Sequence, residues 1–416
     1  MHVVIISAVY PPEPMVSARM AWDLSHYLAD SGHKVTVVCP QPSRPIHSDY
    51  VQYRNPHAPI IINEDNVKIV RLPTFASPES RLVKRMWESF SFGREVTKYL
   101  AAEKEKPDVI YVNSWPLFAQ ALIAYFTIMH DIPMVLQIMD VYPEALTIRF
   151  PMIFRTIINF PLKKLDAWIT RASTFLVVIS ENMRRLYIES RNIPAERIIT
   201  ISTWQDETIF ENIPTRSDCC RMYGIQDNLF TFLFLGNIGP VAGVDFLIRA
   251  FAEAEISDSQ LIIVGDGASK SDCVALVHRL NLSNVFFISD PDVSNGPILQ
   301  NMAHVCMLPM KRMAGLSSVP SKLPSYMFSA KPVIATVDGE SDTARFVTEA
   351  ECGWVGEAEN LTWLVNTMKM VAQLTQDRLV TCGENAKRFG LTHFSKSSGV
   401  NRMAETILQV CRKQWV

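Results

Sequence analysis

The segment Val-Pro-Ser-Lys at residues 319–322 combines residue types that suit phosphate binding. It opens a short predicted helix, and a buried-looking strand follows at 332–335. Pro is favoured in the first turn of a helix, so the segment can be plain helix punctuation. The other interpretation is that free N–H groups, the helix dipole and the ammonium group of Lys322 hold a phosphate. The segment alone leaves both interpretations open.

Two glycine turns of the second half can approach a ligand. Gly236 and Gly239 follow the strand in "LFLGNIG", and Gly265 and Gly267 follow the strand in "IIVGDG". Glycine lets a backbone come close to a ligand, although such turns are also common as plain structure. The P-loop pattern is absent, and no GxGxxG follows the first strand. These absences argue against nucleotide hydrolases and dinucleotide oxidoreductases.

Carboxylates follow a buried strand of the first half, in "MDVYPE" at 139–144. A carboxylate that leaves a strand end is well placed to act as a general base. Asp140 is the first catalytic candidate and Glu144 the second, and the alternative for Asp140 is that it caps the next turn. Arg19, at the start of a predicted helix, can meet a phosphate or form a surface ion pair.

The elements that position these residues alternate between short β-branched runs and amphipathic stretches. Most predicted strands are continuous apolar runs, as a parallel sheet covered on both faces requires. Strands are predicted at 3–8, 34–39, 67–72, 108–113, 134–139, 175–180 and 197–202, and then within 230–239, 260–267, 285–289, 304–309 and 332–337. Helices are predicted between them, for example at 18–32 and 242–254.

The pattern restarts in the second half, after a polar stretch around 205–228. This restart predicts an α/β protein of two doubly wound, Rossmann-like domains, which face each other across a cleft lined by strand carboxyl ends. The domains are expected at residues 1–205 and 206–395. The last helix, within 396–416, has no strand after it, and we expect it to cross back to the first domain.

The composition is that of an ordinary globular protein. The chain has 416 residues, 48% of them hydrophobic, and a formal net charge of −2, which argues against a nucleic-acid partner. Its eight cysteines form no CxxC pair, so we expect buried, reduced thiols and no zinc site. Neither a signal peptide nor a run of about 18 apolar residues is found, so a cytoplasmic protein that does not cross a membrane is expected.

The sequence resembles the retaining GT-B glycosyltransferases of family four. Within the family it is most similar to bacterial enzymes of surface-polysaccharide assembly, of the colanic-acid and L-fucosamine types. The matching motifs occur in the family's order, namely "SAVYPPEP", "QIMDVYPEAL", "FLGNIG", "VGDG", "VPSK" with "YM", "KPVIA" and "DGES". They span most of the chain, so the resemblance implies the GT-B architecture.

The resemblance implies that the second domain binds a nucleotide-sugar donor and the first an acceptor, with Arg19 on the acceptor side. A diphosphate leaving group gains negative charge as the glycosidic bond breaks, and N–H groups and a cation stabilise it. Asp140, Glu144 and Lys322 are the expected catalytic residues, with Asp140 or Glu144 as base or sugar ligand. The expected donor-binding residues are Gly236, Asn237, Gly239, Gly265, Asp266, Gly267, Ser317, Ser318, Ser321, Lys322 and Ser325.

The sequence departs from the family's pattern around the donor site. Ser317 and Ser325 stand where the family usually carries two glutamates that hold the sugar and the ribose. Asn237 and Ala242 stand where an arginine and a lysine usually flank the first glycine turn.

We therefore expect a retaining hexosyltransferase that uses a nucleotide diphosphate sugar, with UDP favoured over GDP. The hexosyl unit can be an N-acetylated deoxyhexose, and the acceptor is expected to be a polyprenyl-diphosphate-linked sugar or an oligosaccharide. No cofactor or metal is expected, since Lys322 and N–H groups meet the phosphate charge. The alternatives are a non-catalytic GT-B partner of another transferase and, ranked lower, a UDP-sugar 2-epimerase.

Two segments, 79–99 and 149–171, suggest peripheral contact with the inner membrane. The first places one set of residues on one helical face, Arg81, Lys84, Arg85 and Glu88, and another set opposite, Val83, Met86, Trp87 and Phe90. The second mixes aromatic and basic residues around one acid, Asp166. Basic amphipathic helices bind anionic lipid surfaces, but helices that cover a core look the same.

Overall fold

The computed structural model describes the chain except for residues 44–47, 54, 56, 78–81, 114–116, 145–151, 291, 315–318 and 413–416. The chain forms two compact units. One comprises Met1–Thr203 together with Gly399–Val416, and the other comprises Trp204–Ser398. Each unit is built on its own sheet.

The first unit contains an eight-stranded sheet in the order β3-β4-β2-β1-β5-β6-β7-β8. Its strands are β1 His2–Ser7, β2 Lys34–Pro40, β3 Ile60–Glu64, β4 Val67–Leu72, β5 Val109–Asn113, β6 Met134–Ile138, β7 Phe175–Val178 and β8 Ile198–Thr200. All pairings are parallel except that of β3 with β4. The central strands are buried along nearly their whole length, which explains their continuous apolar sequence.

Helices cover the first sheet and end at recognisable signals. They are α1 Val16–Asp30, α2 Leu82–Ala102, α3 Phe118–Met129, α4 Met152–Ala172 and α5 Glu181–Arg191. The α5 helix starts at Ser180, whose hydroxyl accepts from the Met183 N–H, and stops at Asn192 in the left-handed conformation, as capping preferences predict. The core beneath the helices includes Val4, Ile6, Val112 and Leu136.

The second unit contains a six-stranded parallel sheet in the order β11-β10-β9-β12-β13-β14. Its strands are β9 Phe230–Leu235, β10 Ser259–Val264, β11 Val285–Ile288, β12 Val305–Pro309, β13 Val333–Val337 and β14 Gly353–Glu357. Its helices are α6 Arg216–Met222, α7 Val244–Ala254, α8 Lys270–Arg279, α9 Gly296–Asn301, α10 Lys322–Phe328, α11 Asp342–Glu349, α12 Leu361–Ala372 and α13 Gln376–His393. The predicted α/β class with two parallel sheets is confirmed.

The last helix, α14, spans Lys396–Arg412, and from Gly399 onward its residues belong to the first unit. Within that unit, Arg402 Nη2 donates to the Thr200 carbonyl at 3.0 Å. Cys411 Sγ lies 3.7 Å from the carbonyl oxygen of Asp108. These contacts fasten the helix beside the ends of β8 and β5.

The first turns of α2 expose apolar side chains and bury an acid, whereas further along Phe92, Val96 and Leu100 pack into the core. Val83 and Trp87 are 76% and 55% exposed, whereas Glu88 is 1% exposed. Glu88 lies on the helical face of Arg85, as the sequence predicts, and this part of the face is buried. Its burial is tolerated because the carboxylate accepts from the Ser77 N–H at 2.6 Å and from Arg85 at 3.0 Å.

The cysteines and the helices bear on two expectations drawn from the composition. All eight cysteines are free thiols, and seven of them are buried, which confirms the expected buried thiols. No helix in the described parts of the chain is both long and apolar enough to span a bilayer.

Candidate active site

The two glycine turns lie side by side at the carboxyl ends of β9 and β10. The Gly236 N–H donates to the Val264 carbonyl at 2.9 Å, and Gly236, Gly265 and Gly267 have φ angles of 139°, 135° and 152°. A Cβ at Gly265 would collide with the Gly236 carbonyl, and one at Gly267 would collide with Asn237. Glycine is therefore required here by conformation and by space.

Lys322 lies directly over the first of these turns. A Cβ at Gly236 would be 2.5 Å from Lys322 Cε, so the lysine stem fills the space that glycine leaves. The ammonium nitrogen is 4.0 Å from the ring centroid of Phe234. Burial lowers the pKa of Lys322 to about 8. Among the described residues no hydrogen bond or ion pair reaches this cation, which makes the position suitable for an anionic ligand.

Tyr326 fixes the helix that carries Lys322. The hydroxyl group accepts from the Leu235 N–H at 2.9 Å and lies 3.3 Å from the Leu235 carbonyl, at the end of β9. The side chain is fully buried. The anchoring role of Tyr326 was not predicted from the sequence, although Tyr326 follows Lys322 by four residues and must share its helix face. The bond brings α10 against the first glycine turn.

The start of α10 offers less free backbone than the sequence predicts. The helix is seven residues long, and the Leu323 N–H already donates to the Pro320 carbonyl at 3.0 Å. Ser321 is exposed at the N-cap without a side-chain cap bond, and its carbonyl accepts from Gln205 at 2.7 Å. The positive charge near the turn is therefore mainly that of Lys322.

The other predicted donor-side residues have diverse surroundings. Ser325 Oγ accepts from Gln300 Nε2 at 2.6 Å, so its hydroxyl joins α10 to α9. Asp266 accepts from the Gly267 N–H at 2.8 Å and from Lys270 at 3.2 Å, and these bonds lower the pKa of its carboxyl. Asn237 is exposed beside Gly239. The predicted residues Ser317 and Ser318 lie outside the described part of the chain.

The first unit contains a cavity of about 210 Å³ at the carboxyl ends of β1, β5 and β6. Its lining includes Asp140 and Tyr142 from the loop after β6 and Ser17 from α1. Asn113 and Gln137, at the ends of β5 and β6, also line it. Parallel strands bring these residues to one edge of the sheet although they are far apart in sequence.

Two amide groups of this cavity have unused donors. Asn113 and Gln137 are 6% and 1% exposed. The Gln137 Oε1 accepts from the Tyr111 hydroxyl, but neither Asn113 Nδ2 nor Gln137 Nε2 has a partner among the described residues. Buried amides normally form hydrogen bonds. Both residues line the cavity, so their amide groups are the candidates there for contact with an oxygen-rich ligand.

Asp140 lies exposed beside this cavity. The surrounding protein nevertheless desolvates its carboxyl group, and this raises its pKa above the ordinary value. No hydrogen bond to its carboxylate is found in the described residues, so the structure does not show the capping role that the sequence left open. A partly desolvated carboxylate without a partner is a chemically competent base.

Glu144 has a different environment, a buried ion-pair network around Arg191. Arg191 Nη2 donates to Glu144 Oε2 at 2.8 Å and Nε to Asp166 Oδ2 at 2.9 Å, and Lys163 lies 3.0 Å from Glu144. Burial raises the pKa of Glu144, but the bonds from Arg191 and Lys163 outweigh it, and the pKa is lowered. Arg191 also donates to the Tyr142 carbonyl at 2.9 Å. The network therefore fixes the loop that carries Asp140.

The catalytic role predicted for Glu144 stays a prediction, as does the acceptor-side role of Arg19. Arg19 is paired with Asp23 one turn later, with Nε 3.1 Å from Oδ1. Its guanidinium group also lies over the Trp22 ring, 4.9 Å from the centroid. The surface ion pair that the sequence offered as the alternative is thus present.

Comparisons with known proteins show the family of both units. Residues 17–207 match the family described as Glycosyltransferase Family 4, and residues 221–389 match the family described as Glycosyl transferases group 1. WbjE of Pseudomonas aeruginosa, named as a probable glycosyltransferase, is 22% identical over 278 residues, 66% of this chain and 68% of WbjE. WcaI of Escherichia coli (strain K12), named for colanic acid biosynthesis, is 23% identical over 82% of this chain and 84% of WcaI.

Solved structures show the same fold at low sequence identity. The crystal structure of HepE from Anabaena in complex with UDP has a TM-score of 0.69 and 16% identity, and the match covers 98% of this chain and 100% of HepE. WaaG, named as a glycosyltransferase involved in lipopolysaccharide biosynthesis, has a TM-score of 0.64 at 19% identity, with 97% and 99% of the chains covered.

Proposed function

Because this chain belongs to the glycosyltransferases of GT-B fold, with a Family 4 domain followed by a group 1 domain, we propose that it moves a hexosyl unit from a nucleotide diphosphate sugar to an acceptor with retention of configuration. The observation that carries this proposal is Lys322, a desolvated cation that covers the glycine turn at the end of β9. The second unit then binds the donor and the first unit binds the acceptor.

The chemistry assigned to Lys322 is stabilisation of the leaving group. Cleavage of the glycosidic bond leaves negative charge on the diphosphate, and a fixed cation lowers the energy of that transition state. Binding a diphosphate also removes the cost of a buried ammonium without a counter-ion. In this proposal Lys322, rather than a metal, neutralises the developing charge.

Asp140 is assigned to the acceptor reaction in the first unit. Its carboxylate is partly desolvated and unpaired among the described residues, as a base or a sugar ligand requires. The free donors of Asn113 and Gln137 suit sugar hydroxyl oxygens. Retention is proposed without a covalent protein intermediate, and the departing phosphate can also take the acceptor proton.

The donor and acceptor classes are proposed from the relatives. A UDP-sugar is preferred because HepE, which shares the fold, binds UDP. The acceptor is proposed to be a lipid-linked or oligosaccharide substrate of bacterial surface-polysaccharide assembly, because WcaI is named for colanic acid biosynthesis and WaaG for lipopolysaccharide biosynthesis. The donor hexose can be an N-acetylated deoxyhexose.

The experiment that tests the proposal measures nucleotide release and sugar transfer with a panel of UDP- and GDP-sugars. We expect release with a UDP-sugar that increases when a polyprenyl-diphosphate-linked acceptor is supplied. We also expect UDP at millimolar concentration to raise the melting temperature, because a ligand that binds only the folded state stabilises it.

The same measurements separate the alternatives. A non-catalytic partner protein is the alternative that the serines in place of the two family glutamates, with Asn237 and Ala242, would favour. No thermal shift at millimolar UDP, together with no release from any donor, would support that function and contradict transfer. Epimerised UDP-sugar without acceptor would instead indicate a 2-epimerase.

We further propose that α2 and α4 dock on an anionic lipid surface. Val83, Met86, Trp87 and Phe90 are all exposed at i, i+3, i+4 and i+7 of α2, so one apolar stripe faces outward. On α4, Phe160 is 64% exposed, with Lys164 Nζ 4.3 Å from its ring centroid. Apolar side chains beside lysines suit the boundary between headgroups and acyl chains.

The lipid contact is tested by co-sedimentation with vesicles that contain about one third anionic phosphatidylglycerol. Trp87→Ser should lower binding several-fold, because it removes a large apolar side chain from the stripe. Met370→Ser is the matched control, since Met370 is exposed on the second unit. Equal binding of both variants, or concentration-dependent dimerisation that Trp87→Ser abolishes, would contradict a lipid partner.

A further inference from the structure

The amino-end edge of the first sheet carries a histidine that the proposed transfer does not use. His26, on α1, is 8% exposed. Its Nδ1 lies 2.9 Å from the Trp22 carbonyl oxygen, and because a carbonyl can only accept, Nδ1 carries the proton in this bond. The ring also stacks on Trp22, with centroids 4.0 Å apart. These contacts orient the ring and leave Nε2 as the nitrogen that can bind an ion.

His26 Nε2 faces carboxylates rather than a hydrogen-bond donor. Nε2 is buried and has no hydrogen-bond partner in the described chain. Asp65 Oδ2 lies 3.9 Å from Nε2, and Glu64 completes a group whose three ligand atoms lie within 4.8 Å of one another. Two carboxylates beside a buried imidazole nitrogen form a negative site that a cation would stabilise.

We propose that His26, Glu64 and Asp65 form a binding site for a divalent transition metal ion, with Zn²⁺ as the ion it suits best. One imidazole and two carboxylates leave a fourth position for water. Ligand atoms around a tetrahedral Zn²⁺ lie ~3.3 Å apart for bonds of ~2.0 Å. Glu64 and Asp65 are exposed, so their side chains can close the present separations by rotation alone.

The backbone holds the two carboxylates at a fixed place. Asp65 and Asn66 form the two-residue turn between β3 and β4, with φ angles of 45° and 63°, and Glu64 pairs with Val67 at its base. The turn precedes β4, so it lies at the opposite sheet edge from the cavity beside Asp140. The ion would therefore join α1 to the β3–β4 hairpin without taking part in sugar transfer.

The test is a calorimetric titration of the full chain with Zn²⁺ after treatment with a chelator. We expect one Zn²⁺ per chain and a higher melting temperature, because the ion binds the folded state. His26→Asn keeps a donor towards the Trp22 carbonyl but removes Nε2, and we expect an affinity loss of roughly 100-fold. Glu64→Gln and Asp65→Asn should each lose roughly 10-fold or more, and Asn tolerates the turn conformation.

Asp30→Asn is the matched control, because Asp30 is an exposed acid further along α1. It should bind Zn²⁺ as the native chain does. Should His26→Asn fail to fold, the two exposed carboxylate variants still decide the question. Native affinity in Glu64→Gln and Asp65→Asn, or no binding at millimolar Zn²⁺, would overturn the proposal. Loss of binding only on thiol alkylation would place the ion at cysteines and overturn it equally.

Discussion

Replacing Lys322 with methionine is expected to slow sugar transfer by roughly 30- to 1,000-fold, because a charge-assisted contact to a developing oxyanion contributes ~2–4 kcal/mol. The same substitution should raise the free energy of unfolding at pH 7 by about 1–3 kcal/mol, since it removes a desolvated cation whose pKa is lowered to about 8. Lost activity with gained stability is the signature of a site residue. Steady-state kinetics and urea unfolding measure the two effects.

The pH dependence of this stability gain has a defined sign. The folded state releases the Lys322 proton near pH 8, whereas the unfolded chain holds it to about 10.5. Between these values the unfolded state binds more protons, so native stability rises with pH. The advantage of Lys322→Met over the native chain should therefore be full below pH 8 and shrink towards pH 10.5.

Donor binding should also take up a proton at this position. At pH 8 Lys322 is about half protonated, and a bound diphosphate favours the charged form, so binding should take up about half a proton. Calorimetry of UDP binding in buffers of different ionisation enthalpy measures this uptake. Lys322→Met should abolish it, and Lys322→Arg should recover only part of the activity, because the guanidinium group differs in geometry.

Lys331 provides a matched control for burial. Its pKa is also lowered to about 8, chiefly by burial, but its Nζ donates to the carbonyls of Asn301 at 3.2 Å and Ala303 at 2.9 Å. Lys331→Met should destabilise the protein and leave turnover of the folded fraction unchanged. Native rates in folded Lys322→Met would reduce the Val-Pro-Ser-Lys segment to helix punctuation.

The second large effect is expected for Asp140→Asn, which should lower kcat by roughly 100-fold or more if the carboxylate is the base. Asparagine has the same shape but cannot accept a proton at neutral pH. Since desolvation raises the pKa of Asp140, the native rate should fall on acidification at a pH above the ordinary carboxyl value. Asp140→Asn should lose this acidic limb of the pH–rate profile.

Two further variants make the Asp140 result specific. Asp131→Asn changes the same functional group at an exposed position near the amino end of β6, and it should retain native activity. Glu144→Gln breaks the ion pairs with Arg191 and Lys163, so its main effect should be on stability. If Glu144→Gln removes the acidic limb while Asp140→Asn keeps it, the base is Glu144 instead.

The sequence by itself determined the class of fold and most of the strands. Continuous apolar runs such as 134–139 can be stable only in a sheet covered on both faces, so their pattern is visible without coordinates. The strands Ile60–Glu64 and Gly353–Glu357 were missed. They are edge strands with exposed or half-buried residues, and burial on one side leaves a weak periodic signal.

The sequence also predicted residues for the site but not how they come together. A lysine after Val-Pro-Ser and glycines after strands are local features, readable from spacing alone. Only the tertiary structure showed that Lys322 covers Gly236 and that Gly265 lies against the Gly236 carbonyl. Parallel strands bring their carboxyl ends together across large separations in sequence.

Charge states and exposed faces were decided by the tertiary structure alone. Asp140 and Glu144 are four residues apart and look alike in sequence, yet Asp140 is unpaired among the described residues and Glu144 is tied to Arg191. The apolar stripe of α2 likewise faces outward because Glu88 finds buried partners. The environments of the two carboxylates and the exposure of the α2 stripe are set by desolvation and by partner atoms. Those atoms come from residues that the local sequence does not contain.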